Sequence, residues 1–275
     1  MTDSPLAIVL AAGQGTRMKS DLPKVLCRVL DRPMIDYVLD ALRVAGVARS
    51  VLVVGYRGGD VQSHVGSGQG VEFVEQTERL GTGHAVKMAL PIIEQHRGPV
   101  IVVAGDSPML QAESLRKLLA AFEVRLWEGE APAEPYPVGS AGASPSQKMS
   151  CLLGTLHKEN PQGLGRIVRD AQGNFAGIVE EKDASPEQRR ITEVNMSTYV
   201  FDAVELVQAL GLLRNDNRQQ EFYLTDCPGI LRSQGKRVEA LPVLQACEAL
   251  SINTPEELAG VEEKMREMGY NGAGR

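Results

Sequence analysis

"LAIVLAAGQGTRMKSDLPKVL", residues 6–26, runs from an unbroken apolar stretch into a turn with two glycines, then meets Arg17 and, after Pro23, Lys24. A short run that is apolar on both faces fits a strand buried from both sides, the environment of a parallel sheet covered by helices. Outward from it the pattern alternates. "MIDYVLDALRVAG" (34–46) and "HAVKMALPIIEQH" (84–96) have helical spacing, whereas "SVLVVG" (50–55), "VEFVEQ" (71–76) and "PVIVVAG" (99–105) read as strands. Helices between such strands predict an α/β fold with a doubly wound, mostly parallel sheet. Ligands of open α/β sheets bind beyond the carboxyl ends of the strands, so the loops after residues 11, 55, 76 and 105 are the places to search.

The first loop fits neither of the two commonest phosphate-binding signatures. A dinucleotide fingerprint needs G-x-G-x-x-G, but after Gly13 and Gly15 the third position is Met18, and the G-x-x-x-x-G-K-[ST] spacing of a P-loop does not occur here. What remains is a turn whose exposed N–H groups can wrap an anion. Arg17 and Lys24 follow it and can neutralise an anion that carries several charges. Without these two cations the stretch is an ordinary strand-to-helix turn; with them, phosphate binding is favoured.

The rest of the composition narrows the class. The 275 residues suffice for one large domain or two small ones, and 43% apolar with 23% charged residues is ordinary for a folded globular chain. A net charge of -6 argues against a general nucleic-acid partner, which is met by a basic face. Cys27, Cys151, Cys227 and Cys247 are too scattered for a zinc site or a disulfide framework and suit a reducing compartment. "MTDSPLAIVLAAG" has no basic segment and too short an apolar run for a signal peptide, and no stretch approaches the roughly 18 apolar residues of a membrane span. A cytoplasmic location with no membrane partner is expected; the oligomeric state is not legible.

Past a helical "ESLRKLLAAFE" (113–123), residues 127–147 turn rich in Pro, Gly and Ala and nearly free of bulky apolar side chains, which predicts a flexible surface insertion. "GRIVRDAQGNFAGIVEEKD" (165–183) reads as a β-hairpin around Gln-Gly-Asn, "EVNMSTYVFD" (193–202) as a strand and "VELVQAL" as a helix. In "NTPEELAGVEEKMREMG", Thr254 is placed as the N-cap of a last helix over about 255–268, with Pro255 at its first position and Glu257 completing a capping box.

These motifs together resemble the sugar-phosphate nucleotidyltransferases, and within them the GlmU-type N-acetylglucosamine-1-phosphate uridylyltransferases. L-A-A-G-x-G-T-R-M followed by S-D-L-P-K-V-L carries the likeness, since relatives that activate other sugars read closer to L-A-G-G-x-G-T-R-L with a more distant lysine. "EQTERLGTGHA" (75–85), "GDSP" (105–108), "GLGRI" (163–167), "GIVEEKDA" (177–184), "EVN" (193–195), "EFYLTD" (221–226) and "INTPEEL" (252–258) fall in the family's order. The resemblance implies a Rossmann-like domain of the nucleotide-diphospho-sugar transferase type, with a nucleotide-binding half over about 1–125 and a hairpin-containing sugar-binding half over about 148–253. It also implies UTP and N-acetylglucosamine 1-phosphate as substrates and Mg2+ as cofactor.

Residue by residue, the resemblance makes Arg17, Lys24 and Asp106 catalytic and gives Mg2+ the ligands Asp106 and Asn253. Leu10, Ala11, Ala12, Gly13, Gly15, Gln76, Gly81, Thr82, Ala104 and Gly105 would hold the nucleotide, with Gln76 matching the donor and acceptors of the uracil edge. Gly165, Glu180 and Asn195 would hold the sugar. Each has a plainer reading: Asp106 before Ser-Pro makes a turn or cap, Asn253 and the Gly81-Thr82 segment make capped loops, and Glu180 belongs to a solvated charge run. His84 and His157 read as helix-start and surface residues, with no partners at metal or triad spacing. Ala104 stands where relatives carry Tyr, Met196-Ser197 where they carry Thr-Gly, and Gln220 where they carry Gly. These departures leave another sugar 1-phosphate, such as glucose 1-phosphate, open as substrate, and a non-catalytic nucleotide sensor is the alternative of a different class. Nothing in the chain resembles the hexapeptide-repeat β-helix of GlmU-type enzymes, so an acetyltransferase activity is not expected.

Overall fold

The computed structural model describes residues 3–18, 20–68, 70–127 and 148–270. The insertion expected at 127–147 lies outside the described residues apart from Trp127, which ends a helix.

The opening apolar run is β1 (Leu6–Ala11). A miniature hairpin of β2 (Arg28–Val29) and β3 (Arg32–Pro33) turns through Leu30 and Asp31, both at positive φ, and leads into α1 (Met34–Val44). Next come β4 (Arg49–Val54), α2 (Gly58–Val65), β5 (Val71–Glu75), α3 (Thr82–Lys87), α4 (Leu90–Ile93), β6 (Pro99–Ala104) and α5 (Ala112–Trp127). β1 pairs in parallel with β4 and with β6, so that Leu10 sits between Val53 and Ala104, and β4 pairs in parallel with β5. The expected parallel, helix-covered arrangement is therefore present.

The second half supplies β7 (Met149–His157), the hairpin β8 (Gly165–Arg169) and β9 (Phe175–Val179), β10 (Glu193–Asp202), α6 (Ala203–Leu212), α7 (Asp226–Ser233), β11 (Arg237–Leu241) and α8 (Pro255–Glu267). It does not build a separate sheet. β10 lies antiparallel beside β6 and carries β7 on its other side, giving the order β11-β7-β10-β6-β1-β4-β5, with β8 and β9 branching from the start of β10.

Alternate residues of the central strands enter two cores. Leu6, Ile8, Val51, Val53, Val100 and Val102 pack with α3, α4, α6 and α7, whereas Ala7, Val9, Leu52, Val54, Ile101 and Val103 pack with α1, α2 and α5. With both faces covered, these strands carry apolar side chains at nearly every position, the buried Ser50 at the start of β4 being a polar exception, which is why they read as almost continuous apolar runs. A third, smaller cluster joins Val261 and Met265 of α8 to Met18, Val29 and Tyr37, and Glu262 accepts a hydrogen bond from the N–H of Leu30. The last helix is thereby held against the first loop.

Three local readings need correction. The helix expected over 84–96 is two pieces, because Pro91 has no N–H to give the carbonyl four residues back; it stands instead at the second position of α4, where no such bond is needed. β10 is not regular: its register shifts between Asn195 and Thr198, with Ser197 at φ 53°. Gln220 also has positive φ, at 55°. Both positions of positive φ are ones where the resembled family has Gly, so the backbone shape persists here without the residue that adopts it most readily. At α8 the Thr254 hydroxyl accepts from the N–H of Glu257 as a cap should, but the Glu257 carboxylate reaches back to the N–H of Asn253, at 2.6 Å, rather than to that of Thr254.

Candidate active site

At the carboxyl end of β1, Gly15 takes φ 67°, and a Cβ there would lie 2.8 Å from Cβ and 2.9 Å from Cγ of Lys24. The glycine is needed twice, for its backbone conformation and for the passage of the lysine. The N–H of Lys24 donates to the carbonyl of Gly13, folding "SDLPK" back over the loop, while Arg17 sits on a short 3-10 turn at Thr16–Met18. Gly13 meets nothing within 4 Å of a notional Cβ, so its side is open. Across the mouth, exposed Arg79 donates to Gln14 Oε1 at 3.1 Å.

Four residues from remote parts of the chain converge next to this loop. Lys24 Nζ lies 2.6 Å from Asp106 Oδ2 and 3.0 Å from Asn253 Oδ1, and Arg17 Nη2 lies 3.0 Å from the same Asn253 oxygen. β6 places Asp106: Gly105, which follows it, donates its N–H to the Leu10 carbonyl and has no room for a side chain, since a Cβ would lie 2.9 Å from that oxygen. α8 places Asn253. Its N–H is held by Glu257 and its Nδ2 donates to Ser251 Oγ at 3.2 Å, which turns Oδ1 toward the two cations. Two hard oxygen donors, one of them charged, facing one point fit a small divalent cation whose other positions go to phosphates and water. No group of three or more His, Cys, Asp or Glu capable of holding a metal occurs among the described residues, so a closed protein cage is not what this site offers.

The second group lies beyond β5. Gln76 is buried, its Nε2 donating to the Gly81 carbonyl at 3.1 Å and facing His84 Nδ1 at 3.1 Å. Gly81 has φ 100°, and a Cβ on it would lie 2.6 Å from the Phe222 carbonyl. The loop is stitched to 222–224 by Phe222 N–H to the Leu80 carbonyl, Gly83 N–H to the Phe222 carbonyl and Leu224 N–H to the Thr82 hydroxyl. "EFYLTD" thus shapes the segment that carries Gln76, a link invisible from sequence separation. Thr82 serves the scaffold through its oxygen and is itself exposed.

Gly165 on β8, Asn195 on β10 and Glu180 just after β9 lie next to one another. Gly165 pairs with Asn195 across β8 and β10, and a Cβ on Gly165 would lie 3.5 Å from Asn195 Cβ and 3.6 Å from Glu180 Oε1. Partial burial pushes the Glu180 carboxyl above its ordinary range, partly offset by a hydrogen bond from Thr225 and reinforced by Asp226 and Asp183. Asn195 Nδ2 donates to Tyr199 OH at 2.7 Å. A shallow open depression between β6 and β10 is lined by Ala104, Ser107, Met196, Thr198 and Glu248, so two of the departing positions share one wall. The buried Glu248 is fully engaged by Ser114 and the N–H groups of Gln111 and Gln245. His157, a surface residue in the sequence reading, is exposed, and its ring Nδ1 lies 3.2 Å from the Thr192 hydroxyl. His84 and Glu257 are the residues whose positioning contacts sequence reasoning passed over; the G-T-G-H spacing and the capping pattern were their only signals.

A family model described as the MobA-like NTP transferase domain matches residues 7–170. The chain belongs to this family. The MobA-like match takes in the glycine loop, Lys24, Gln76 and Asp106. The chain is also 40% identical over 260 residues to the bifunctional protein GlmU of Streptococcus gordonii, covering 94% of this chain and 51% of that one. It is likewise 40% identical over 260 residues to the bifunctional protein GlmU of Exiguobacterium sibiricum, covering 94% and 53%. The chain thus spans about half the length of the curated relatives it matches. A crystal structure of UDP-glucose pyrophosphorylase complexed with UDP-glucose superposes with TM-score 0.72 at 15% identity, over 98% of this chain and 100% of that one, which establishes a common fold. No helix among the described residues is long and apolar enough to cross a membrane.

Proposed function

We propose that the chain is a uridylyltransferase that converts UTP and N-acetylglucosamine 1-phosphate into UDP-N-acetylglucosamine and pyrophosphate. The observation that carries this reading is the convergence of Arg17, Lys24, Asp106 and Asn253 beside an open glycine loop at the carboxyl edge of the sheet. The 40% identity to GlmU proteins supports uridylyl transfer in particular. In this reading residues of about 1–125 hold the nucleotide and those of about 148–253 the sugar, within one domain.

The reaction needs no protein nucleophile. An oxygen of the sugar phosphate, already ionised at neutral pH, attacks the α-phosphorus of UTP in line and pyrophosphate departs, so the protein's task is to hold two mutually repelling anions and spread the developing charge. The N–H groups of the glycine loop, with Arg17, cradle the β- and γ-phosphates, while Leu10, Ala11, Ala12 and Gly13 add backbone contacts to the uridine. Lys24 exchanges its contact with Asp106 for the α-phosphate, and Gln76, Gly81 and Thr82 hold the base, with Ala104 and Gly105 flooring the site. Asp106 and Asn253 would hold Mg2+, which supplies positive charge to the phosphate oxygens when bound. Glu180, Asn195 and Gly165 orient the sugar. A panel of nucleoside triphosphates crossed with sugar 1-phosphates, read by pyrophosphate release, tests this: UTP with N-acetylglucosamine 1-phosphate is expected to be the best pair. Release with no pair supports a non-catalytic nucleotide sensor instead, and release only with dTTP and glucose 1-phosphate overturns both base and sugar assignments.

Glucose 1-phosphate is the runner-up sugar, because Ala104 and Met196, two positions that depart from the resembled family, line one depression beside the proposed sugar site; the same panel decides it.

A further inference from the structure

We infer that His84 sets the choice of nucleobase by locking Gln76 in one of the two orientations of its amide; the inference rests on the uridylyltransferase reading above. A primary amide has two ends of nearly equal shape and opposite hydrogen-bonding character. Whichever end faces the ligand decides whether the site accepts a proton from the base or donates one to it.

Two neighbours of Gln76 fix the answer. The Gly81 carbonyl can only accept, so the amide atom 3.1 Å from it is the nitrogen. The second hydrogen of that nitrogen faces His84 Nδ1 at 3.1 Å, so Nδ1 must offer a lone pair and the imidazole proton must sit on Nε2. Oε1 takes no hydrogen bond among the described residues. Gln76 is buried, so the amide end left for a ligand to engage is the acceptor.

An acceptor at this point selects bases with an N–H on the matching edge, the N3–H of uracil or thymine, and repels the N3 lone pair of cytosine. Gly81 alone would not enforce this. If the histidine proton were on Nδ1, a flipped amide would lose the bond to Gly81 but gain one from the ring, a near-even exchange. With the proton on Nε2, flipping loses both bonds and sets the amide oxygen against a carbonyl and a lone pair. The ring is in turn held in place: it stacks on Phe222 at a centroid distance of 6.4 Å and 29° between planes, and its helix start is pinned by Gly83 N–H to the Phe222 carbonyl. His84 touches neither phosphate nor reacting atoms in this scheme and is a positioning residue.

The test compares the intact chain with His84→Leu, which removes the acceptor, and His84→Asn, whose amide oxygen can take the place of Nδ1. Pyrophosphate release is measured with UTP and with CTP at saturating N-acetylglucosamine 1-phosphate. In His84→Leu the UTP-over-CTP ratio of kcat/KM should fall at least about tenfold through a higher KM for UTP, since the amide is then free to offer the wrong end. His84→Asn should restore the ratio to within roughly threefold of the parent. An unchanged ratio in His84→Leu, or an equal fall in both variants, overturns the inference. Histidine 15N spectra of the unsubstituted chain, free of ligand and at about pH 8, give an independent reading: the Nε2–H form at His84 is expected, and an Nδ1–H form overturns it. A chain that turns over neither UTP nor CTP refutes the proposed function, whereas the spectra judge the His84 hydrogen bond by itself.

Discussion

Replacing Lys24 by methionine removes one charge while keeping most of the side chain's length. Nζ is held between Asp106 Oδ2 and Asn253 Oδ1, and the pair is partly shielded, with 14% of the lysine and 29% of the aspartate side chain exposed. In such surroundings an effective dielectric of about 20 applies, and a unit charge about 4 Å from another contributes roughly 4 kcal/mol before desolvation is counted. At about 1.4 kcal/mol per factor of ten, that caps the rate effect near 1,000-fold, and the part specific to the transition state places the expected loss of kcat at about 100- to 1,000-fold. Folding should be affected less than catalysis, because in this partly shielded pair the desolvation of both groups offsets much of the Coulomb attraction that is lost. The assay is pyrophosphate release at saturating UTP and Mg2+, run beside a thermal melt of the same preparation. A variant that melts like the parent and keeps kcat within threefold of it refutes the placement of Lys24 at the reacting phosphate.

Gly15→Ala should leave the sheet intact but displace Lys24, because the new Cβ would lie 2.8 Å from that side chain at a φ of 67°, and kcat should fall at least about tenfold. Gly13→Ala meets nothing in the free protein, so a rise in the KM for UTP without a change in melting temperature would locate the nucleotide against that side of the loop. Ser197→Gly and Gln220→Gly relieve positive φ at 53° and 55°, and each should stabilise the fold by about 0.5–1 kcal/mol in denaturant titrations, the left-handed penalty less the added chain entropy of glycine. Glu180 holds its proton more tightly in the folded chain than in the unfolded one, so its contribution to stability is present at acid pH and lost as pH rises from the ordinary carboxylate range through its raised value. Glu180→Gln should therefore melt higher than the parent at neutral pH and equally at acid pH, while raising the KM for the sugar phosphate; identical melting curves at both pH values would contradict the burial argument.

Much of the site was legible because its parts lie at strand ends, where an apolar run stops and polar chemistry begins. Leu6–Ala11 and Pro99–Ala104 declare themselves as doubly covered strands, so the loops holding Gly15, Lys24 and Asp106 could be placed before any coordinate was known. Asn253 was different. Its sequence neighbourhood indicates only a helix start, and it reaches Lys24 because Val261 and Met265 of α8 pack on the β2–β3 hairpin. His84 was read as a helix-start residue since no partner lies at a recognisable spacing, yet its partner is a buried amide eight residues earlier that the β5–α3 turn folds back onto it.

What the sequence by itself determined was the alternation of strands and helices and the loop at which an anion could sit, because periodicity and the conformational needs of glycine and proline act over a few residues. Only the tertiary structure decided which distant groups meet: that Asn253 faces both cations, that "EFYLTD" braces the loop of Gln76, and that Ala104 and Met196 share a wall. Those contacts depend on sheet order and on the return of the last helix, which arise from the burial of whole faces and leave no local signature in the chain.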